Sequence, residues 1–220
     1  MTRSQDEEEH SLEMHLPYIY TVVEKAFGGQ GGEGNEWPKL IPILVGNTDR
    51  KREKEYGSLL GKWLKEEENV FVVSSDFCHW GLRFGYTYYL PSLPTSSEEG
   101  GSGAKANGEG NVKGIELRSG DKIQPSAPSI SESIGVVDKW AMDAIETGKQ
   151  EEFWGTLRET GNTVCGRHPI GVVLAGLEGL VAEKGEEGKG KFKFVRYERS
   201  SDCVSVGDSS VSYASAYAVL

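Results

Sequence analysis

Four histidines and three cysteines among 220 residues are few enough to weigh one at a time. The densest group is SSDFCHWG, Ser74 to Gly81, where Asp76, Cys78 and His79 crowd together after an apolar run. A carboxylate three residues before an imidazole can orient the ring and fix its tautomer, so Asp76 and His79 read as an acid/base pair of catalytic character. Cys78 and His79 point to opposite sides of an extended chain, and Cys78 reads as a small buried hydrophobe. The second group, GNTVCGRHPIG, runs from Gly161 to Gly171 and carries Cys165, Arg167 and His168. Cys165 can serve as a thiolate nucleophile with His79 or His168 as base. Cys165-x-x-His168 can instead supply half of a zinc site, for which Cys78 and His79 are a poorly shaped other half. Arg167 suits an acid or an anionic ligand. His10 and His15, in EHSLEMHLPY, are not spaced to share a helical face, and each reads singly as packing or capping.

Elements must hold these residues in place. Leu12, Leu16, Ile19, Val22, Val23 and Ala26 recur at helical spacing, with Pro17 near the start. LIPILVG reads as a strand. Tyr56, Leu59, Leu60, Trp63 and Leu64 mark a second amphipathic helix, and NVFVVSS the strand that delivers SSDFCHWG. Ile134, Val137, Trp140, Ala141 and Ile145 predict a third helix, and Phe153, Trp154 and Leu157 a fourth. Pro169 opens IGVVLAGLEGLVAEKG, a helix that ends at Gly185. KFKFVRY and VSYASAYAV alternate, as half-buried strands do. The pattern predicts an α/β fold with a layered mixed β-sheet flanked by helices, in which loops at strand ends carry the ligand site.

Composition sets the outer limits. The chain is long enough for one domain with a sizeable core, and one domain over 1–220 is expected. Glycine takes 29 positions, about twice the usual share of roughly 7%. Much of the excess lies in residues 28–36, read as a glycine-rich loop insertion, and in 92–128, a polar stretch read as a disordered insertion. Three scattered cysteines make no disulfide framework and suit a reducing compartment. A formal charge of −10 argues against phosphate-backbone binding, so nucleic acid is not an expected partner. The apolar runs are too short for a membrane span, and a cytoplasmic protein, with nuclear access open, is expected.

EHSLEMHLPY, VSSDFCHWG, NTVCGRHPIGV and DSSVSYAS, in that order, resemble the Memo family (mediator of ErbB2-driven cell motility). The family is similar in fold to class III extradiol ring-cleaving dioxygenases. That resemblance implies a pocket where those enzymes hold non-haem iron. Cys165 would stand at the carboxylate ligand's place and His79 at that of the acid/base histidine, with Asp76 beside them and His10, Arg167 and His168 as pocket residues. A thiolate in place of a carboxylate favours softer metals, copper(I) included. Two histidine motifs that precede EHSLEMHLPY in the family are not found here, so the chain is expected to lack an N-terminal part and its early strands, and to bind copper or iron weakly or not at all. The implied function is that of a non-catalytic, vestigial-dioxygenase metal-binding and interaction protein linked to redox signalling and cell motility. The alternatives are an active dioxygenase-like oxidoreductase, a Cys-dependent hydrolase using Cys165, His79 and Asp76, and a module that binds a protein or phosphotyrosine peptide through Arg167.

Overall fold

The computed structural model describes residues 3, 9–28, 37–94, 113–184 and 190–220. Where one domain is expected, the chain divides into two compact units, Met1–Asn47 and Thr48–Leu220. In the first, the Glu9 carboxylate accepts the backbone N–H of Leu12 at 3.1 Å and so ties down the turn before helix α1, Leu16–Phe27. Pro17 sits in the first turn of α1, where no intrahelical N–H is needed. His10 is exposed in this unit. LIPILVG forms no strand here; Leu40, Ile41, Ile43 and Leu44 are exposed, and an apolar run becomes a strand only when a neighbour completes its ladder. Residues 29–36 of the expected glycine-rich loop lie outside the described residues.

The second unit runs α2 (Arg50–Leu64), β1 (His79–Trp80), β2 (Tyr88–Tyr89), β3 (Ile115–Glu116), α3 (Ile130–Glu146), α4 (Gln150–Thr160), α5 (Arg167–Lys184), β4 (Lys193–Arg199) and β5 (Ser210–Tyr217). The predicted helices and the two late strands are all present, within a few residues of their expected limits. Helix α3 starts on a reciprocal cap: the Ser129 hydroxyl accepts the Glu132 N–H at 3.1 Å and the Glu132 carboxylate accepts the Ser129 N–H at 2.7 Å. Its buried Ile130, Ile134, Val137, Ala141, Ala144 and Ile145 repeat every three or four residues and line one helical face.

That face divides between two cores. Ile130 and Ile134 pack with Cys78, Trp80, Tyr89 and Cys203, whereas Ala141, Ala144 and Ile145 pack with Phe77, Phe153, Val164 and Leu174. The extended chain at 77–80 accounts for the division: Phe77 faces one core while Cys78 and Trp80 face the other. A third cluster joins Leu64 of α2 to Val173, Leu177 and Leu180 of α5.

The α/β class stands, and every described strand pair is antiparallel. One sheet has the order β1-β5-β4, and β2 pairs with β3 separately. NVFVVSS, predicted as a strand, is extended without a ladder partner among the described residues. Pairing begins only at its end, where the Phe77 N–H donates to Ser212 O and the Ser212 N–H to Cys78 O, both at 2.9 Å. The expected disordered stretch 92–128 needs correction at its end. Residues 95–112 lie outside the described residues, but Ile115–Glu116 pairs with Tyr88–Tyr89 and Leu117 is buried. The two apolar residues there, Ile115 and Leu117, lie in a segment whose overall polarity hides them.

Candidate functional site

The segments SSDFCHWG and NTVCGRHPIG, far apart in sequence, run side by side. Four hydrogen bonds join them: the Cys165 N–H donates to Asp76 O at 3.1 Å, the Gly166 N–H to Ser75 Oγ at 2.9 Å, the His79 N–H to Thr163 Oγ1 at 2.8 Å, and Thr163 Oγ1 back to His79 O at 3.2 Å. Gly166 is required at this seam because a Cβ there would collide with Ser74 O and the Ser75 side chain. Ser75 and Thr163 are functional supports that sequence reasoning passed over; a hydroxyl in a polar loop carries no signal of its partner.

The contact sets the Cys165 segment beside the one that carries Asp76 and His79. His79 Nε2 lies 3.8 Å from Asp76 Oδ2, with both side chains partly exposed. On the other side of the ring, His79 Nδ1 is 3.0 Å from Phe77 O. A carbonyl only accepts, so Nδ1 carries a proton and Nε2 is the atom turned toward Asp76. The edge of the His79 ring rests against Phe84, with centroids 5.3 Å apart. Cys165 is exposed. Partial burial and then the Asp76 carboxylate push its thiol up from the ordinary value, and the Arg167 guanidinium offsets part of that rise. A thiol shifted upward is a slower nucleophile near neutral pH than an ordinary one.

The other predicted pocket residues separate. His168 is buried, and its Nδ1 lies 2.8 Å from Glu53 Oε1. Glu53 is fully buried; its Oε2 accepts Gln150 Nε2 at 2.8 Å and Trp154 Nε1 at 2.7 Å. His168 therefore locks α5 to α2 and α4 rather than lining the pocket, because the first turn of α5 carries it toward Glu53. The Nε2 of His168 is buried with no hydrogen-bond partner among the described residues. Arg167 is half-buried near Cys165 and its Nη1 makes a long bond of 3.4 Å to Val164 O. His10 belongs to the first unit, and nothing in that unit's geometry assigns it to this site. Cys78 is buried core, as expected.

The described residues do not by themselves make up a complete copper or iron site. Among the described residues no three His, Cys, Asp or Glu side chains gather as a metal ion requires.

A family model described as Memo-like protein matches residues 1–217. The chain belongs to the Memo family. Relatives of this Memo chain include Protein MEMO1 of Danio rerio, 37% identical over 215 residues, and Protein MEMO1 of Homo sapiens, 37% identical over 215 residues. Each alignment covers 97% of this chain and 57% of the relative. A MEMO1 family protein of Schizosaccharomyces pombe is 38% identical over 218 residues, 99% of this chain and 62% of the relative. The Memo chain thus spans somewhat more than half the length of these relatives. No described helix is long and apolar enough to cross a membrane.

Proposed function

We propose that this chain is a non-catalytic Memo-family protein whose Cys165, His79 and Asp76 form part of a soft-metal site, for copper or iron. The family resemblance links such a site to redox signalling and cell motility, and we extend that role to this chain as a metal-responsive interaction protein. One observation supports it above the others: the Cys165 N–H donates to Asp76 O at 3.1 Å and His79 Nε2 lies 3.8 Å from Asp76 Oδ2, so the two motifs that carry the three side chains are neighbours. The raised thiol disfavours the Cys-dependent hydrolase. No three His, Cys, Asp or Glu side chains gather as a metal ion requires among the described residues, so this chain by itself is expected to hold metal weakly.

The test is a competition titration of the 220-residue chain with copper(I) against a high-affinity chelator. The chelator is expected to retain the metal, and the residual binding measured without it is expected to fall further in Cys165→Ser. Tight one-to-one binding would overturn the weak-site reading, and identical binding by wild type and Cys165→Ser would remove Cys165 from the site.

A further inference from the structure

The bonds between the two motif segments do not account for how those segments are held against the body of the fold. One side chain does both. Asp138, on the inner face of α3, is fully buried. Its Oδ1 accepts the Cys78 N–H at 3.2 Å and Asn162 Nδ2 at 2.9 Å. Cys78 precedes His79, and Asn162 lies three residues before Cys165. Its Oδ2 accepts the Tyr197 hydroxyl of β4 at 2.8 Å, with the Ser212 hydroxyl of β5 also bonded. The same Tyr197 oxygen lies 3.1 Å from Ser212 Oγ. All four partners are neutral donors: an amide, a carboxamide and two hydroxyls.

A buried carboxylate without a cation is costly for a fold, and an apolar residue would fill the same space more cheaply. What an apolar residue cannot do is accept from both loops on one oxygen. We propose that Asp138 is a positioning residue, which sets the distance between the His79 segment and the Cys165 segment by holding both on Oδ1. This rests on the reading of Asp76, His79 and Cys165 as one site. The tie to Tyr197 and Ser212 anchors the carboxylate itself, so the two segments are referred to a sheet rather than to each other alone.

The mechanism is local. Without the shared acceptor, the Cys78 amide and the Asn162 carboxamide lose their partner, and the loop that carries Cys165 opens more often. Opening parts the Cys165 segment from Ser75 and Asp76, so the Cys165 thiol is less hindered and reacts faster.

The experiment is alkylation of the full chain by iodoacetamide at one near-neutral pH, with the modified cysteine located by peptide mapping. Cys78 and Cys203 are buried and serve as internal monitors of global opening. Asn162→Ala is expected to speed Cys165 about fivefold, the effect of one buried hydrogen bond on a local opening equilibrium, and Asp138→Ala, which takes the acceptor from both segments, by more than that, while Cys78 and Cys203 stay unreactive. Asp138→Asn retains an amide oxygen that can accept from both loops and is expected to restore the wild-type rate. If Asp138→Ala fails to fold, Asn162→Ala decides alone. Unchanged Cys165 reactivity in the folded variants overturns the proposal, as does equal acceleration of all three cysteines, or a rate in Asp138→Asn as high as in Asp138→Ala. Asp76→Asn separates the two readings. A faster Cys165 there with an unchanged rate in Asn162→Ala sinks this inference alone, whereas no change in Asp76→Asn sinks the single-site reading.

Discussion

Cys165 sits where burial and the Asp76 carboxylate both favour the neutral thiol, with Arg167 alone pulling the other way. Its alkylation rate should therefore climb at higher pH than that of a free cysteine peptide, whose thiol ionises near pH 8.5. Asp76→Asn removes the negative charge and should lower the thiol's ionisation point, with a few-fold faster reaction at neutral pH, about what one near-surface charge contributes. A pH–rate profile of both proteins checks this; coincident profiles would mean that Asp76 does not act on Cys165. The type of each reactive residue was legible in the sequence, and so was the separation of Cys78 from His79, because it follows from side-chain alternation. His168 was misplaced for a physical reason: its spacing from Cys165 crosses a helix start, and the turn of α5 directs the ring to Glu53.

Helices α2 and α5 approach closely where two glycines meet. A Cβ on Gly57 would lie 2.6 Å from Gly176 N and 2.7 Å from Val172 O, both backbone atoms that cannot rotate aside. Gly57→Ala should therefore force the helices apart and cost about 1–3 kcal/mol, against a propensity gain of at most about 1 kcal/mol for alanine in a helix. Urea unfolding measures the difference, and a stabilised variant would show that the junction yields. The same pair of helices carries the Glu53–His168 bond, so the junction that supports the start of α5 is at once close-packed and polar. Helical period located α2 and α5 in the sequence. Their close approach was not legible there, since a glycine in a helix does not name what it faces.

Stability of the second unit as a whole should depend on two thiols. Burial pushes Cys203 up to about 11, and Cys78 higher still, mainly by burial and then by the Asp138 charge. A folded value above the unfolded one means that the native state keeps protons the unfolded chain has released. The stabilisation is thus complete below about pH 9 and is lost as pH rises from there through the folded value of Cys203. Urea midpoints should be level up to pH 9 and then fall, with a shallower fall in Cys203→Ala; equal slopes in the two proteins would count against burial as the cause. The sequence alone determined the α/β class, the five helices and two late strands, the family, and which residue types could do chemistry, because apolar period and motif spacing are properties of neighbouring residues. Tertiary structure decided the rest. Whether LIPILVG and NVFVVSS become ladders, which hydroxyls and carboxylates hold the two motif segments, and that the Asp76–His79 and Cys165 segments run side by side while His168 bonds to Glu53 all depend on partners distant in the chain, and a hydrogen bond exists only when both ends are in place.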